Sequence, residues 1–242
     1  MISIEHAEEI YSTLLVEDGA EERLEGIVDQ IVESETAFVP TLVAYHNLQR
    51  ANADPEGFLA SVDMERINPV VRFFGHRSTA DIITYGRRDR IARKMELITE
   101  LTRRLYERGG MMLLGSDTDP AFTVAGQSLH DEIALLSAAG IDPYDVLFSG
   151  AGAAAAALHR SGEIGVIAAG ARAELILVAG NPLEDLSALR RPLGVLMSGR
   201  YYDRAALDLL EHRGTRPMSA YETVGWLLWQ QVTNGMACRA AA

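Results

Sequence analysis

The stretch MMLLGSDTDP, residues 111–120, is a continuously apolar run that ends at a glycine and a carboxylate. Such a run without alternation is typical of a strand that is buried on both faces of a parallel sheet. In parallel β/α folds, catalytic and metal-binding groups lie at the carboxyl ends of the strands. Asp117 therefore either carries chemistry at such a strand end or merely caps the turn through Ser116 and Thr118.

Two upstream segments have the pattern of strands. Residues 2–6 alternate and end at His6, and residues 36–42 form a second β-prone run. Together with residues 111–115 they predict a parallel sheet in which His6 and Asp117 lie close together on one face. Taken alone, His6 is better explained as an ordinary hydrogen-bonded histidine at a strand end.

Apolar residues at helical spacing predict helices over residues 21–32 and 89–108, the second ending before a Gly-Gly pair. Residues 43–87 show only short helical pieces, around 54–60 and 64–74, and we interpret this region as an insertion. The order strand, helix, strand, insertion, helix, strand is typical of parallel β/α units. The sequence therefore predicts an α/β fold.

The second half of the chain changes in character. Ser128 is a candidate N-cap for a helix that stops at Gly140, and Pro143 starts another helix that continues into the alanine tract at 153–157. Residues 165–178 form two β-prone runs about a glycine turn, which indicates a small β unit. The remaining predictions are a third run at 194–197 and helices over 203–213 and 219–233, the last with Trp226 and Trp229 on a buried face or an interface.

The composition argues against two classes of partner. The 242 residues contain 34 acidic and 22 basic side chains, a net charge of −12. A negatively charged chain is repelled by nucleic acids and by anionic membranes, so we expect neither as a partner. The acids concentrate in residues 1–35 and the bases in 71–108, which we interpret as two solvated faces.

The cysteine count and the hydropathy pattern favour a cytoplasmic protein. Cys238 is the only cysteine, which excludes an intrachain disulfide and fits a reducing compartment. Apolar runs stay well short of the ~20 residues that a membrane helix needs. The first residues lack the basic start and long apolar stretch of a signal peptide.

Several motifs carry a family resemblance through their order and spacing. They are SIEHAEE, FVPTL, LLGSDT, SLHDEI, GEIGVIAAGARAELILVAGNPLEDL and VLMSGRYYD. This series resembles the C-terminal half of the amidohydrolase superfamily, in particular the imidazolonepropionase-like and prolidase-like metal-dependent hydrolases. The resemblance covers roughly residues 1–205.

The resemblance implies a partial (β/α) TIM-type barrel with a small β subdomain and a C-terminal helical tail. Residues 1–160 would supply the sixth to eighth strands and their helices, residues 161–205 the β subdomain, and residues 206–242 the helical segment. The family binds one or two divalent metals, usually zinc. His6 resembles its sixth-strand histidine ligand, and Asp117 its eighth-strand aspartate, which contacts the metal and takes a proton from the attacking water.

The sequence also departs from the family. It contains no His-x-His pair, which in the family binds the more buried metal, and no fifth-strand histidine. Its only lysine, Lys94, falls on the polar side of the predicted helix over 89–108 and not on an inward-facing strand. A closed barrel takes about 250 residues, whereas only about 150 residues here look barrel-like. The ligand set therefore looks incomplete.

Two further histidines are candidates for contacts with a substrate or with a metal ligand. His130 falls in the first turn of the helix after Asp117, and His46 follows the second strand by a few residues. A solvated surface histidine is the ordinary alternative for both. The other histidines, at positions 76, 159 and 212, have no assigned role.

Two hypotheses follow. In the first, the chain is part of a metal-dependent hydrolase that cleaves the C–N bond of a small amide, imide or dipeptide-like substrate by metal-activated water. The missing strands would then come from a complementing N-terminal half or from a longer chain, and the 242 residues alone would bind zinc weakly. In the second, the chain is a truncated, catalytically inactive remnant or interaction module whose open sheet edge is covered by homo-oligomerisation.

Overall fold

A computed structural model of the chain describes residues 3–14, 20–67, 88–118, 123–214, 219 and 221–225. Within these ranges the side chains of 13, 14 and 20–22 are not described. Predictions for His76, Trp226, Trp229 and Cys238 lie outside the described residues. The described residues form an α/β protein, as the sequence predicts.

The sheet at the centre of the first half is parallel. Strand β1 (Ser3–Glu5) pairs with β2 (Ala37–Val39), Ile4 lying opposite Phe38. A third extended segment, residues 111–113, joins β2 through a parallel bridge between Phe38 and Met112. The Phe38 amide donates to the Met111 carbonyl at 2.9 Å, and the Leu113 amide donates to the Phe38 carbonyl at 2.9 Å. The predicted order of the three strands is confirmed.

Helices cover this sheet and account for most of the described residues. They are α1 (Ala7–Leu14), α2 (Ala20–Glu33), α3 (Leu42–Ala53), α4 (Pro55–Ser61), α5 (Arg88–Glu107), α6 (Gln127–Ala138), α7 (Pro143–Ser149) and α8 (Gly152–Ala157), with short 3₁₀ turns at Met64–Arg66 and Leu186–Arg190. The helices predicted over 21–32 and 89–108 are confirmed. Helix α1, directly after β1, was not predicted.

The core lies between the sheet and helices α2, α3, α5 and α6. Every residue of the apolar stripe predicted for α5 is buried: Ile91, Met95, Ile98, Leu101 and Leu105. They pack in one cluster with Leu24 and Val28 of α2, Leu42 of α3 and Leu136 of α6. One continuous apolar cluster therefore holds the strands and the helices that follow them in fixed positions.

The predicted helix ends are also in place. Gly109 has φ +79° and Gly140 φ +90°, left-handed values that glycine adopts without strain and that end α5 and α6. Pro143 opens α7, where the Asp142 carboxylate accepts a hydrogen bond from the Tyr144 amide at 2.8 Å.

Two local predictions about this region were wrong. Ser128 is not the N-cap of α6, because the helix begins at Gln127 after Gly126 and the Ser128 hydroxyl bonds elsewhere. The alanine tract does not continue α7; it forms the separate helix α8, since the chain turns at Gly150 and leaves helical geometry at Ala151.

A small antiparallel sheet follows. Strand β4 (Gly194–Met197) lies between β3 (Leu175–Leu177) and β5 (Arg200–Asp203), and helix α9 (Arg204–Gly214) comes directly after β5. The strand predicted just after Gly165 is absent: residues 165–174 carry neither strand nor bridge, and the isolated bridge between Ser161 and Ile164 lies before Gly165, whose φ is +70°. The third strand is β5 instead.

Some of the acidic residues near the start of the chain form ion pairs with basic residues at the end of α5. Glu25 and Asp29 of α2 form ion pairs with Arg104 of α5 and with Arg108, the residue that follows α5. Both helices also turn charged side chains to solvent, as an amphipathic helix does. Part of the acidic and basic segments is thus paired across one helix contact. None of the described helices has the length and apolar character that crossing a membrane requires.

Candidate active site at the strand ends

The three parallel strands end in the same kind of turn. His6 follows β1, Thr41 follows β2 after Pro40, and Asp117 follows the segment 111–113; their φ angles are +66°, +50° and +44°. Residues other than glycine seldom adopt this left-handed region, and strained backbone of this kind clusters at functional sites. The strand ends are therefore the first place to look for chemistry.

The side chains of these turns meet. His6 Nδ1 lies 3.0 Å from Thr41 Oγ1, a hydrogen-bond distance, and 3.7 Å from Asp117 Oδ2. The histidine and aspartate side chains are 31% and 36% exposed, so solvent and a small ligand can reach both. The prediction that His6 and Asp117 lie close together at the strand ends is confirmed.

Backbone hydrogen bonds fix the His6 turn to the end of β2. The His6 amide donates to the Val39 carbonyl at 2.9 Å, and the Ala7 amide donates to the Pro40 carbonyl at 3.0 Å. These bonds continue the parallel ladder by two residues beyond the strands. His6 is consequently held by main-chain and side-chain contacts from the same neighbouring segment.

Hydroxyl groups hold the Asp117 turn. The Ser128 hydroxyl of α6 donates to Ser116 Oγ at 3.0 Å and lies 3.2 Å from Thr118 Oγ1. The Thr123 hydroxyl donates to the Asp117 carbonyl at 3.0 Å. Ser128 itself is 2% exposed, whereas Ser116 is half-buried and Thr118 and the Asp117 carboxylate are open to solvent, so the turn is held from its buried side.

One buried carboxyl group near the site was missed as a functional residue by sequence reasoning. Glu132 of α6 has no exposed surface, and its two oxygens accept hydrogen bonds from the Leu42 amide at 3.0 Å and the Val43 amide at 2.7 Å. These amides open α3, whose own N-cap residue Thr41 gives no side-chain cap. Burial raises the pKa of Glu132 to about 7, although the two amide donors pull in the opposite direction.

The described residues do not by themselves fit a catalytic zinc. Such sites generally use three protein ligands, whereas this site offers His6 and Asp117. Across the part of the chain that the structure describes, no group of three or more His, Cys, Asp or Glu side chains is arranged to hold a metal ion. Thr41 also occupies the hydrogen-bonding direction of His6 Nδ1, which leaves Nε2 as the ring nitrogen open to a ligand.

His130 and His46 line other cavities. His130 faces a cavity of about 580 Å³ together with Arg66, Arg190 and Arg204, and His46 faces one of about 490 Å³ together with Asp131. Neither His6 nor Asp117 is among the described residues that line them. Burial, then a neighbouring arginine, lowers the pKa of both histidines. Their contact with a substrate stays a prediction.

Lys94 lies on a helix and not on a strand, as the sequence predicts, but its ammonium group is less open to solvent than a position on the polar side of α5 implies. Its Nζ donates to Ser12 Oγ at 3.0 Å and lies 4.6 Å from the centre of the Tyr45 ring and 5.3 Å from that of Tyr11. The ammonium group is half-buried between α1 and α3, and this burial lowers its pKa. Through these contacts Lys94 links α5 to α1 and α3.

The chain is similar to known proteins in its three-dimensional structure, whereas comparisons of its sequence find no match. No protein-family model matches the chain, and no curated protein matches it significantly. Among solved structures, a bottromycin amidohydrolase matches with a TM-score of 0.66 and 26% identity over 89% of this chain and 48% of that one.

Two further solved structures are described as a Xaa-Pro dipeptidase and a prolidase. A Xaa-Pro dipeptidase with methionine bound in its active site has a TM-score of 0.58 and 23% identity over 84% of this chain and 40% of that one. A prolidase in complex with N-methylphosphonate-L-proline has a TM-score of 0.55 and 24% identity, again over 84% and 40%. The chain thus spans less than half the length of each structure. It has the fold of the C-terminal part of the amidohydrolase superfamily, the family that its motifs resemble.

Proposed function

We propose that this chain supplies the C-terminal half of an amidohydrolase-type active site that hydrolyses a C–N bond in a small amide, imide or dipeptide-like substrate. One observation supports it most: His6 and Asp117 lie 3.7 Å apart at the ends of neighbouring parallel strands, where the family carries its metal-binding and proton-accepting groups. The prolidase and amidohydrolase neighbours agree with this assignment.

The proposal includes the domain organisation. Residues 1–160 form part of a (β/α) barrel, residues 161–205 a small β subdomain, and residues 206–242 a C-terminal helical segment. The parallel order of β1, β2 and residues 111–113 is what the last strands of such a barrel require. A dipeptide-like substrate is favoured because two of the matched structures contain methionine or a phosphonate analogue of a proline compound.

In this site Asp117 is the proton acceptor. Its carboxylate is 36% exposed, so a water molecule reaches it directly, and a general base must lie within hydrogen-bond distance of the proton that it takes. His6 lies beside it with Nδ1 held by Thr41, which fixes the ring orientation and leaves Nε2 toward the ligand. Both groups lie in turns whose backbone φ is positive.

The metal part of the proposal requires ligands from beyond the described residues. Two donors are one short of the protein ligands that a catalytic zinc generally has. We propose that a complementing polypeptide, or a longer chain, carries the strands with the remaining ligands. The 242 residues alone then bind zinc weakly and show little activity.

The test is zinc analysis after dialysis, together with a screen of amide, imide and Xaa-Pro dipeptide hydrolysis. Both are run on the chain alone and on a polypeptide extended by the coding sequence upstream of Met1. We expect stoichiometric zinc and turnover only in the extended polypeptide. Stoichiometric zinc with robust turnover by the chain alone would contradict the shared-site proposal, and an inactive, metal-free extended polypeptide would contradict the function.

A second candidate is a self-associating interaction module without activity. It is favoured by large apolar side chains that line one open cavity away from the strand-end site: Tyr144, Phe148 and Ile167 are 57%, 46% and 87% exposed. Exposed apolar surface of this extent marks an interaction face. If the hydrolase screen is negative and the purified chain forms a defined oligomer, this candidate replaces the first.

A further inference from the structure

We propose that Ser128 and Glu132, one turn apart on α6, are positioning residues that clamp the two strand-end turns and thereby set the geometry of His6 and Asp117. Residues four apart on a helix point to the same side. The effect of these residues on catalysis rests on the proposed function, whereas their effect on the positions of His6 and Asp117 does not.

The first half of the clamp is Glu132. Its carboxyl group has no exposed surface and binds the Leu42 and Val43 amides, which follow Thr41 directly. The first amides of a helix have no partner within the helix, and here a residue 89 to 90 positions away satisfies two of them. The place where β2 turns into α3 is therefore tied to α6.

The tie at Leu42 and Val43 extends to His6 through one residue. Thr41 has φ +50°, unusual for a β-branched residue, and its hydroxyl is hydrogen-bonded to His6 Nδ1 at 3.0 Å. If the start of α3 moves, the Thr41 hydroxyl moves with it. The orientation of the His6 ring thus depends on a carboxyl group that does not touch the ring.

The second half of the clamp is Ser128. Its hydroxyl binds Ser116 Oγ and Thr118 Oγ1, the residues on either side of Asp117. The sequence predicts that this hydroxyl caps its own helix, but it bonds to a different segment of the chain. The backbone turn that presents the Asp117 carboxylate is therefore held from the same side of α6.

The location of both residues argues for a specific role. Ser128 is 2% exposed and Glu132 is fully buried, and a buried polar group is costly unless its hydrogen bonds are made. Apolar residues at both positions would pack the helix without this cost. The two polar groups instead form hydrogen bonds with the two turns that carry Thr41 and Asp117.

The glutamine variant is a tolerable perturbation. Burial raises the pKa of Glu132 to about 7, so the uncharged form is populated near neutral pH in the native fold. Glu132→Gln keeps the size and one acceptor oxygen but presents an amide group, a donor, to the second backbone N–H. One of the two bonds to α3 is therefore lost with little change in volume.

The experiment is NMR of the full chain with ¹⁵N-labelled histidine and backbone at pH 8. The His6 imidazole signals are identified by their loss in His6→Gln. We expect Glu132→Gln to shift the His6 imidazole signals and the Leu42 and Val43 amides. We expect Ser128→Ala to shift the amides of 116–118. Matched controls on the same helix are Asp131→Asn, whose carboxylate pairs with Arg190 at the surface, and Ser137→Ala, which is exposed.

Unchanged His6 signals in a folded Glu132→Gln chain would overturn the clamp, as would shifts equal to those of the controls. A Glu132→Gln chain that no longer folds would assign the carboxyl group to overall stability and also overturn its positioning role; Ser128→Ala tests the second half independently. In an active polypeptide, we expect each clamp variant to lower kcat about 10–100-fold, with Ser137→Ala unaffected. Shifted His6 signals without any hydrolysis would retain the clamp and reject the proposed function.

Discussion

At the scale of single residues, the site is built from backbone conformations that most residues avoid. His6, Thr41 and Asp117 all have positive φ, and a left-handed non-glycine residue costs about 1–3 kcal/mol. Glycine at these turns would relieve the strain but would remove the imidazole, hydroxyl and carboxylate on which the proposed site depends. Buried polar groups of α6 and the end of β2 supply the hydrogen bonds that keep the turns in place.

Glu132 predicts a specific dependence of stability on pH. Its pKa is about 7 in the folded chain against 4.5 for an ordinary glutamate, so the folded state binds the proton more tightly. The resulting stabilisation is complete below pH 4.5 and is lost as the pH rises through 7, by roughly 3 kcal/mol in total. Urea unfolding at pH 4.5 and 8 should show a smaller loss in Glu132→Gln than in the unchanged chain.

The matched variant is Asp131→Asn, which removes a carboxylate from the adjacent, partly exposed position. It should retain the pH dependence of the unchanged chain. If Glu132→Gln and the unchanged chain lose the same stability between pH 4.5 and 8, Glu132 is not the titrating group that we infer.

At the scale of elements, the contact between the third strand segment and β2 depends on a glycine. A Cβ on Gly115 would lie 2.6 Å from Val39 Cγ1, closer than two carbon atoms pack. Gly115→Ala should therefore push residues 111–117 away from β2 and cost about 1–3 kcal/mol, as overpacking does. Gly26 of α2 is exposed with open space at its Cβ position, so Gly26→Ala should stabilise by about 0.5–1 kcal/mol.

Chemical denaturation should show a lower free energy of unfolding for Gly115→Ala and a higher one for Gly26→Ala. A Gly115→Ala chain as stable as the unchanged one would mean that the segment 111–117 does not pack on β2 as described. The NMR signals of His6 and Asp117 should also move in Gly115→Ala and stay in place in Gly26→Ala.

The elements that the sequence predicted correctly are those whose signal is local. The apolar stripe of α5 and the glycine stops at 109 and 140 are written within a few residues, and they were found. So was the placement of His6 and Asp117, because parallel strands bring their carboxyl ends to one edge.

The contacts that were missed join side chains to residues far away in the sequence. The Ser128 hydroxyl bonds to Ser116, 12 residues earlier, and Glu132 bonds to amides 89 to 90 residues earlier. Nothing in the local pattern separates a helix-capping serine from one that holds another loop. The partial cover over Lys94 was missed for a similar reason, since the tyrosines that lie near its ammonium group belong to α1 and α3.

At the scale of the whole molecule, the buried core surrounds the parallel sheet, whereas the small antiparallel sheet exposes apolar side chains to solvent. Strand β3 is an edge of the small sheet among the described residues, and its Ile176 and Leu177 are exposed. An apolar edge strand pairs readily with another chain. We therefore expect the purified 242-residue chain to self-associate, in sedimentation velocity, at micromolar concentration.

Lysine substitution identifies the surface responsible. Ile176→Lys should reduce association, because a charge on an edge strand opposes pairing. Tyr221→Lys, at a position that is 91% exposed away from β3 in sequence, should not. A compact, cooperatively unfolding monomer in the unchanged chain would refute the association.

The central claim is that Asp117 is the proton acceptor of a hydrolytic site, and its most direct test is the ratio of hydrolysis rates between the extended polypeptide and its Asp117→Asn variant. Asparagine tolerates the left-handed backbone at φ +44°, so the turn and the stability should be preserved. General-base catalysis contributes about 10²–10⁴-fold, and we predict a loss of that size in kcat for Xaa-Pro dipeptide or amide hydrolysis with the fold unchanged. Full activity in Asp117→Asn would contradict the role of Asp117.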